Sequence, residues 1–419
     1  MYPARHGVSQ VSRLHHIEQE VDLEGRDFDL NAEDRLILDE AERFAREQLY
    51  PLSARMDDEE WWPDDLFPML GRHGQLGLTI PTEYGGQGMG LFQAGLVAQA
   101  HSKWNHAAAL SIGAHDNLCA NNIYRNGDED QRTKYLPGLN SGELVGALGL
   151  TEPGAGSDAL GSMATTAVRD GDTYVLNGSK MFITNAPIAN VVLVYAKTNP
   201  EAGAHGISAF IVESGFPGYS VAQKLNKMGF RGSQTGEIVF DDCVVPAENL
   251  VGGENRGVAV TMSGLDIERA WLAAGTVGLA ERCLELAVDY ANNRMQFGRP
   301  IADFQMIQAK LADMYTALEA MRTFTYRALM AVEGLEVGGG GRGDIHKLTA
   351  AAALFCADQL SRITADGLQI FGGSGYMWES EINRIYRATK LYEIGAGTQE
   401  VRRMIVSEEL NDGWRRANP

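Results

Sequence analysis

The residues best suited to chemistry begin with LGLTEPGAGSD, residues 148–158. Gly154 and Gly156 permit a tight turn whose amides can face an anion, and the hydroxyls of Thr151 and Ser157 add two further donors. Such a loop could bind a phosphate-bearing or other anionic ligand. An ordinary Pro-Gly turn explains the same residues without a ligand, so this segment alone leaves both interpretations open.

Three further segments carry suitable residue types. FIT at 182–184 places an aromatic ring and a hydroxyl after a predicted hairpin, and NNRMQFGRPIADFQMIQ contains Arg294 and Gln305, which can bind phosphate and sugar groups. GLQIFGGSGY (367–376) and LYEIGAGTQEVRR (391–403) contain small residues that allow a ligand close to the backbone. A strand end, a solvated helix face and helix C-caps explain each one separately, so only the combination is informative.

The chain lacks the sequence motifs that usually identify several enzyme classes. It contains no G-x-x-x-x-G-K-[ST] loop, no G-x-G-x-x-G after a strand, no H-E-x-x-H and no G-x-S-x-G. The four cysteines are far apart with no C-x-x-C pair, and the nine histidines form no spaced ligand set. P-loop NTPases, nicotinamide Rossmann enzymes, zinc hydrolases and α/β-hydrolases are therefore disfavoured, and we expect no metal.

Composition describes a soluble, acidic chain. Its 36 Lys and Arg stand against 55 Asp and Glu, a net charge of -19, which repels nucleic acid. No apolar run is long enough to cross a membrane, so we expect no membrane insertion. The first residues lack the apolar core of a secretory signal, and Arg5 and Arg13 resemble a transit peptide only faintly. A polar N-terminal arm is the preferred interpretation.

Hydrophobic periodicity divides the chain into an extension (1–30), a helical region (31–147), a β region (148–254) and a second helical region with a tail (255–419). The β region has short β-branched runs and the hairpin-type dipeptides Asp170-Gly171 and Asn177-Gly178, which predict a small barrel or sandwich. Long amphipathic stretches in the last region predict an antiparallel bundle, with a flexible joint at Gly338–Gly341. The predicted fold class is α+β.

The ordered set of motifs resembles the acyl-CoA dehydrogenase family. TEPGAGSD, FIT, RMQFG, QIFGGSGY and GTQEVRR occur in the family's order and spacing, and the resemblance extends from about Asn31 to Glu409. NLCANNIYRNGDEDQRTKYLP and MSGLDIERAWLA are very similar to the branch that acts on isovaleryl-CoA. The resemblance implies an N-terminal helical domain, a central β-barrel and a C-terminal four-helix bundle, assembled as a homotetramer.

The resemblance also implies FAD, bound between barrel and bundle. Thr184 would direct its hydroxyl at flavin N5, and Arg294 and Gln305 would come from a partner subunit. The positions that match the family's FAD contacts are Leu148, Gly149, Leu150, Thr151, Ser157, Phe182, Ile183, Thr184, Arg294, Gln305, Gln369, Ile370, Phe371, Gly372, Gly373, Thr398, Gln399 and Glu400. Phe182 stands where the family often has Trp, which puts the docking of the electron acceptor in question.

The resemblance assigns the catalytic base to Glu268. Many members of the family place this carboxylate just before the glycine of the GTQEVRR loop, where this chain has Ala396. The isovaleryl-type branch uses a bundle-helix Glu instead, which here is Glu268 of LDIERA; a first-turn carboxylate favoured by the helix dipole is the alternative explanation. The matching substrate-site positions are Ser157, Asp266, Ile267, Arg269, Ala396 and Gly397.

The implied reaction is α,β-dehydrogenation of a short branched-chain acyl-CoA, with isovaleryl-CoA converted to 3-methylcrotonyl-CoA in leucine catabolism. Glu268 would remove the α-proton, flavin N5 would accept the β-hydride, and an electron-transferring flavoprotein would be the acceptor. A long-chain or terpenoid-type acyl-CoA dehydrogenase and a non-catalytic FAD-binding scaffold remain as alternatives. The expected location is the cytoplasm in a bacterium and the mitochondrial matrix in a eukaryote.

Overall fold

The structure, a computed structural model, describes residues 30–335 and 340–418. All but the last residue of the predicted N-terminal extension (1–30) lies outside the described residues, as do Gly338 and Gly339 of the predicted joint. Within the described ranges, no helix has the length and apolar character needed to cross a membrane.

The first region of the structure is helical. Asn31 begins it by accepting a hydrogen bond from the amide of Asp34 at 2.9 Å, so the chain enters its first helix with a side-chain N-cap. Two π-helical segments, Ala45–Leu49 and Ala114–Ala120, continue helices rather than end them. The helices are α1 (Ala32–Phe44), α2 (Tyr50–Glu59), α3 (Leu66–Arg72), α4 (Leu91–Gly113), α5 (Asn121–Asn126) and α6 (Glu129–Ser141).

The second region is one eight-stranded sheet. Its strands are β1 (Gly146–Gly149), β2 (Thr166–Asp170), β3 (Thr173–Thr184), β4 (Val191–Lys197), β5 (Ile207–Glu213), β6 (Tyr219–Lys224), β7 (Thr235–Pro246) and β8 (Leu250–Val251). They pair in the order β6-β7-β3-β2-β4-β5-β8, and β1 pairs with β4. The sheet is open, so the predicted closed barrel is not confirmed. The exposed edge strand β6 and the two-residue β8 end the sheet without pairing with each other.

The two predicted hairpin turns have different outcomes. Asp170-Gly171 makes the β2–β3 turn, so that prediction is confirmed, and Gly171 there has φ +57°. The prediction at Asn177-Gly178 is wrong, because both residues lie inside β3. The β3–β7 register shifts at this point, and a Cβ on Gly178 would approach the Thr165 side chain to 2.5 Å. Glycine is needed here for a bulge and a close contact, not for a turn.

The third region is a helical bundle around a long central helix. Its helices are α7 (Gly257–Asn293), α8 (Gln305–Glu333), α9 (Gly343–Phe371), α10 (Gly373–Tyr376), α11 (Glu381–Thr389) and α12 (Gln399–Ala417), with a small hairpin of β9 (Met295–Gln296) and β10 (Arg299–Pro300). Helix α7 also packs on α4, and its Val260 lies in one apolar cluster with Leu193 and Ile207 of the sheet. It therefore touches all three regions.

Candidate functional site

Glu268 is a half-buried carboxylate on α7. Since α7 begins at Gly257, Glu268 lies in the fourth turn, and the explanation by a first-turn helix dipole is wrong. Its carboxylate has no hydrogen bond to any residue in the described ranges. Burial raises the pKa of Glu268 to about 7, against the opposing positive charges of Arg269 and Arg402. A carboxyl group with a pKa near neutrality is suited to general acid–base work.

A loop anchored by Arg402 lies next to this carboxylate. The buried guanidinium of Arg402, close enough to Glu268 to lower its pKa, donates to the carbonyls of Tyr392 and Gly395, each at 2.7 Å. The following residue, Ala396, has φ +52°, a conformation that costs a residue with a Cβ about 1 kcal/mol or more. Its N–H donates to no residue that the structure describes. A strained residue with an available amide therefore follows the anchored carbonyl.

The 148–158 loop is held against the sheet by a buried ion pair. The Nζ of Lys180 on β3 lies 2.7 Å from a carboxylate oxygen of Glu152, and both side chains are at least 96% buried, with exposures of 0% and 4%. Glu152 also accepts hydrogen bonds from the amides of Ala164 and Thr165, at 2.6 and 3.0 Å. The sequence analysis missed both partners. Glu152 lies inside the TEPGAGSD motif, which could have identified it.

The predicted FIT segment presents one exposed aromatic ring. The β3–β7 register shifts between Lys180 and Ile183, and Phe182 at this bulge has φ +63° with 67% of its surface exposed. Ile183 is buried in the sheet core, and Thr184 is half-buried and pairs with Thr235. A bulky residue with positive φ is strained, and because the Phe182 ring is exposed, no hydrophobic burial offsets this strain. The geometry suits a planar ligand stacked on Phe182.

A second, separate patch contains the predicted cofactor residues Arg294, Gln305 and Gln369–Gly373. Arg294 caps the end of α7, Gln305 begins α8, and both are exposed. Phe371, at the end of α9, stacks on Tyr290 with ring centroids 4.2 Å apart. From Glu268 to Arg294, α7 is about 39 Å long at 1.5 Å per residue. Within one chain, the structure does not bring this patch to Glu268.

Around this second patch, exposure varies from residue to residue. Gln369, Gly372 and Gly373 are exposed, whereas Ile370 is buried. Gly372 follows α9 with φ +56° and serves as its C-cap. The predicted C-cap explanation is therefore correct, and it leaves the exposed glycine backbone accessible as well.

Near the Arg402 loop, the three predicted nucleotide contacts at the start of α12 differ in role. Thr398 is the N-cap and accepts from the amide of Val401 at 3.3 Å. Gln399 is buried and donates to the carbonyl of Leu354 at 3.1 Å, so its side chain is already occupied. Glu400 is exposed. Of the three, Thr398 and Glu400 are the residues that are not buried.

The predicted substrate positions also differ in how exposed they are. Ser157 is exposed, and Ala396 and Gly397 are half-buried, whereas Asp266, Ile267 and Arg269 are between 0% and 4% exposed. Asp266 bonds within the protein, and its partners include the buried His346, 2.6 Å away. Sequence reasoning missed His346, because a lone histidine near the start of an amphipathic helix carries no signal. Glu268 is thus the member of its DIER segment that stays accessible.

Three family models match the chain over most of its length. They are described as the N-terminal, middle and C-terminal domains of acyl-CoA dehydrogenase, and they match residues 31–143, 147–243 and 255–411. A mitochondrial isovaleryl-CoA dehydrogenase of Oryza sativa is 47% identical over 88% of each chain. A mitochondrial 2-methylacyl-CoA dehydrogenase of Solanum tuberosum is 44% identical over 88% of each chain.

Solved structures with the same fold include three that bear on function. Butyryl-CoA dehydrogenase from Megasphaera elsdenii is 37% identical with a TM-score of 0.87, covering 92% of this chain and 100% of its own. A chain from the electron transferring flavoprotein structure of Acidaminococcus fermentans is 40% identical with a TM-score of 0.87, covering 92% and 99%. An FAD complex of PigA is 31% identical with a TM-score of 0.87, covering 92% and 99%.

Proposed function

The chain belongs to the acyl-CoA dehydrogenase family, and from that premise we propose that it oxidises a short branched-chain acyl-CoA, converting isovaleryl-CoA to 3-methylcrotonyl-CoA in leucine catabolism. Its activity is that of an acyl-CoA dehydrogenase, and its cofactor is FAD. The observation that carries the proposal is the half-buried Glu268 carboxylate, with its raised pKa and no hydrogen-bonding partner among the residues that the structure describes.

The chain's own groups suit removal of a proton next to a thioester. Glu268 is the base that takes the α-proton, and its raised pKa of about 7 makes it a stronger acceptor than an ordinary carboxylate. The α C–H bond is a very weak acid, so the negative charge that develops on the thioester oxygen needs a hydrogen-bond donor. The available N–H of Ala396 is our candidate for that donor.

The residues around the 148–158 loop and β3 suit the isoalloxazine end of FAD. Bound FAD would supply the acceptor for the hydride that leaves the β-carbon. The exposed ring of Phe182, the hydroxyl of Thr184 and the loop from Leu148 to Thr151 would hold the flavin end, and Thr398 and Glu400 would contact the nucleotide part. The strained, exposed Phe182 is the observation that supports the fit.

Two features favour a branched substrate. The base is on α7, so position 396 carries a methyl group in place of a long carboxylate side chain, and the 395–397 run is small. Extra room beside a β-carbon is what an isovaleryl group needs. Relatives named for isovaleryl-CoA and for 2-methylacyl-CoA have similar sequence identity to this chain, 47% and 44%. The position of the methyl branch on the acyl group therefore has to be tested directly.

The test is an anaerobic titration of the purified protein with isovaleryl-CoA, 2-methylbutyryl-CoA, butyryl-CoA and palmitoyl-CoA, followed at the oxidised flavin absorbance band. We expect isovaleryl-CoA to bleach the band at one equivalent per flavin and with the highest rate constant of the four. Because the measurement needs no external acceptor, it tests FAD, thioester binding and hydride transfer together.

Each failure of this titration has its own meaning. Fastest bleaching by 2-methylbutyryl-CoA or palmitoyl-CoA would reject the isovaleryl substrate and keep the dehydrogenase chemistry. A flavin-containing protein that no thioester reduces would favour the FAD-binding scaffold. The structural neighbour from the electron transferring flavoprotein structure supports an electron-transferring flavoprotein as the acceptor, and steady-state turnover with that protein would test it.

The two separated patches lead us to propose that FAD bridges two copies of the chain. Arg294 lies about 39 Å from Glu268 along α7, too far to reach a cofactor bound next to that base in the same subunit. Gln305 belongs to the same distant patch, at the start of α8. A partner subunit would supply them, as part of a homotetramer. Each catalytic site would then need Glu268 from one copy and Arg294 from another.

This arrangement predicts complementation between two inactive variants. Glu268→Gln and the double variant Arg294→Ala/Gln305→Ala are each expected to lose activity, the second through poor FAD retention. Mixed oligomers from co-expression combine an intact base with an intact patch at about a quarter of their sites, so about a quarter of wild-type activity should return. Mixing separately purified, unexchanged oligomers is the control. Co-expressed oligomers with no recovered activity would place both patches in one subunit's site.

A further inference from the structure

A fully buried carboxylate lies two residues before Glu268. Asp266 accepts four hydrogen bonds: from His346 Nδ1 and Thr349 Oγ1 on α9 at 2.6 and 3.4 Å, from the amide of Gly341 at 2.7 Å, and from Arg269 Nη1 on α7 at 3.1 Å. The mechanism above uses none of these contacts. They join the turn of α7 that carries the base to the start of α9.

The chemistry of the donors fixes the tautomer of the histidine. Burial would raise the pKa of Asp266, but the hydrogen bonds from His346 and Gly341 outweigh it and hold that pKa below its usual range. Asp266 is therefore an ionised acceptor with no proton to give, so His346 Nδ1 carries the hydrogen. Arg269 Nη1 lies 3.3 Å from that same nitrogen and cannot donate to it. Asp266 is then the acceptor that holds Arg269.

Arg269 connects this pair to the base. Among the positive charges that lower the pKa of Glu268, the buried guanidinium of Arg269 has the largest effect. The Nε of Arg269 has no hydrogen-bond partner among the described residues. Arg402 on α12 repels Arg269. The hydrogen bond from Arg269 to Asp266 thus controls the position of Arg269 relative to Glu268. His346 donates to the same carboxylate and makes the shortest of the contacts that compete for it.

We propose that Asp266 and His346 form a positioning pair, which fixes Arg269 beside Glu268 and thereby sets the strength of that base. The pair acts through Arg269 rather than on the substrate. The inference rests on the proposed role of Glu268. The charged groups in contact with His346 are Asp266 and Arg269 on α7. Asp344 and Lys347, its neighbours along α9, pair with each other, and Arg402 acts on Arg269.

Two substitutions of His346 distinguish the effect of its N–H donor from the effect of the imidazole ring. His346→Asn places an amide N–H close to the original Nδ1 and cannot titrate, whereas His346→Leu fills similar space with no donor. At pH 6, below the Glu268 pKa, we expect His346→Leu to reduce the limiting rate of flavin reduction by about tenfold, because a pKa one unit higher leaves about a tenth as much of the Glu268 carboxylate ionised, with substrate Kd unchanged. His346→Asn should stay within about twofold of wild type. His346→Ala replaces the leucine variant if that one does not fold.

A second readout does not depend on turnover. An infrared titration without substrate follows the carboxylic acid band that Glu268→Gln removes, and so measures protonation of Glu268 directly. Loss of the donor lets Arg269 move toward Asp266, so the midpoint in His346→Leu should rise by about one pH unit, and His346→Asn should keep the wild-type midpoint.

The outcomes distinguish the pair from the proposed function. An unchanged midpoint in a folded His346→Leu protein would overturn the positioning pair, and so would an equal loss of rate in the asparagine variant. If no thioester reduces the wild-type flavin, the proposed function fails, but the infrared midpoints of the two variants still decide whether His346 controls Glu268.

Discussion

In a Glu268→Gln variant, we expect flavin reduction by an acyl-CoA substrate to slow by about a thousandfold while FAD remains bound, because a positioned general base contributes two to four orders of magnitude. Glutamine keeps the shape of the side chain but cannot accept a proton. The contacts of Arg402 that anchor the 395–397 loop do not involve the Glu268 carboxylate, so the loop should stay in place. Anaerobic stopped-flow absorbance gives the rate, and the flavin-to-protein ratio gives the occupancy.

The pH dependence of the same reaction should show the ionisation of Glu268. Only the ionised carboxylate can take the α-proton, and its pKa is raised to about 7 by burial. The rate should therefore rise as pH increases through about 7 and then level off, and this rise should be absent in the glutamine variant. Asp289→Asn, which removes an exposed carboxylate from the same helix, should behave as wild type.

Stability provides a check on Glu268 that needs no substrate. The folded-state pKa of about 7 lies above the ordinary value of 4.5, so the group's contribution is most favourable below pH 4.5 and is lost as pH rises through 7. Ionised Glu268 should cost the wild type about 3 kcal/mol at pH 8 relative to pH 4.5. The glutamine variant should gain stability over wild type at pH 8. A variant with wild-type rates and no such gain would remove Glu268 as the base.

Much of the fold was predictable, because hydrophobic period and turn residues act locally. Hydrophobic periodicity located the helical region that begins at residue 31, where α1 starts, and Asp170-Gly171 identified the β2–β3 turn. Asn177-Gly178 has the same turn chemistry but lies in β3, because the close approach of Thr165 requires a glycine there. Whether a sheet closes depends on pairing between distant edges, which local patterns do not report.

The site was less predictable, because its properties come from burial and from distant contacts. The position of Glu268 came from a family resemblance, and its raised pKa comes from surroundings supplied by several helices. His346 gave no signal, since its meaning depends on Asp266, eighty residues earlier in the chain. Glu152 and Lys180 are ordinary charged residues in sequence, and only the fold shows that they are buried together.

The ion pair of Glu152 and Lys180 should produce the largest effect on stability. In a Glu152→Gln variant the Lys180 ammonium stays buried without its counter-charge, and breaking a buried pair in this way costs about 3–5 kcal/mol. We expect the urea midpoint to fall accordingly. The 148–158 loop also loses its charged attachment to β3, so FAD content should fall with stability. Both quantities can be measured on the same purified sample.

Matched controls separate burial from charge. Arg55 and Glu59 form an exposed pair at 2.8 Å, with more than half of each side chain accessible, so Glu59→Gln should change stability by less than about 0.5 kcal/mol. The double variant Glu152→Leu/Lys180→Met removes both charges and should recover much of the stability, because an apolar pair avoids the desolvation cost. If it regains stability but not FAD, the pair serves the cofactor loop. If Glu152→Gln matches wild type in both measurements, the hydrogen bond from the Met181 amide to the Thr151 carbonyl is sufficient to hold that loop.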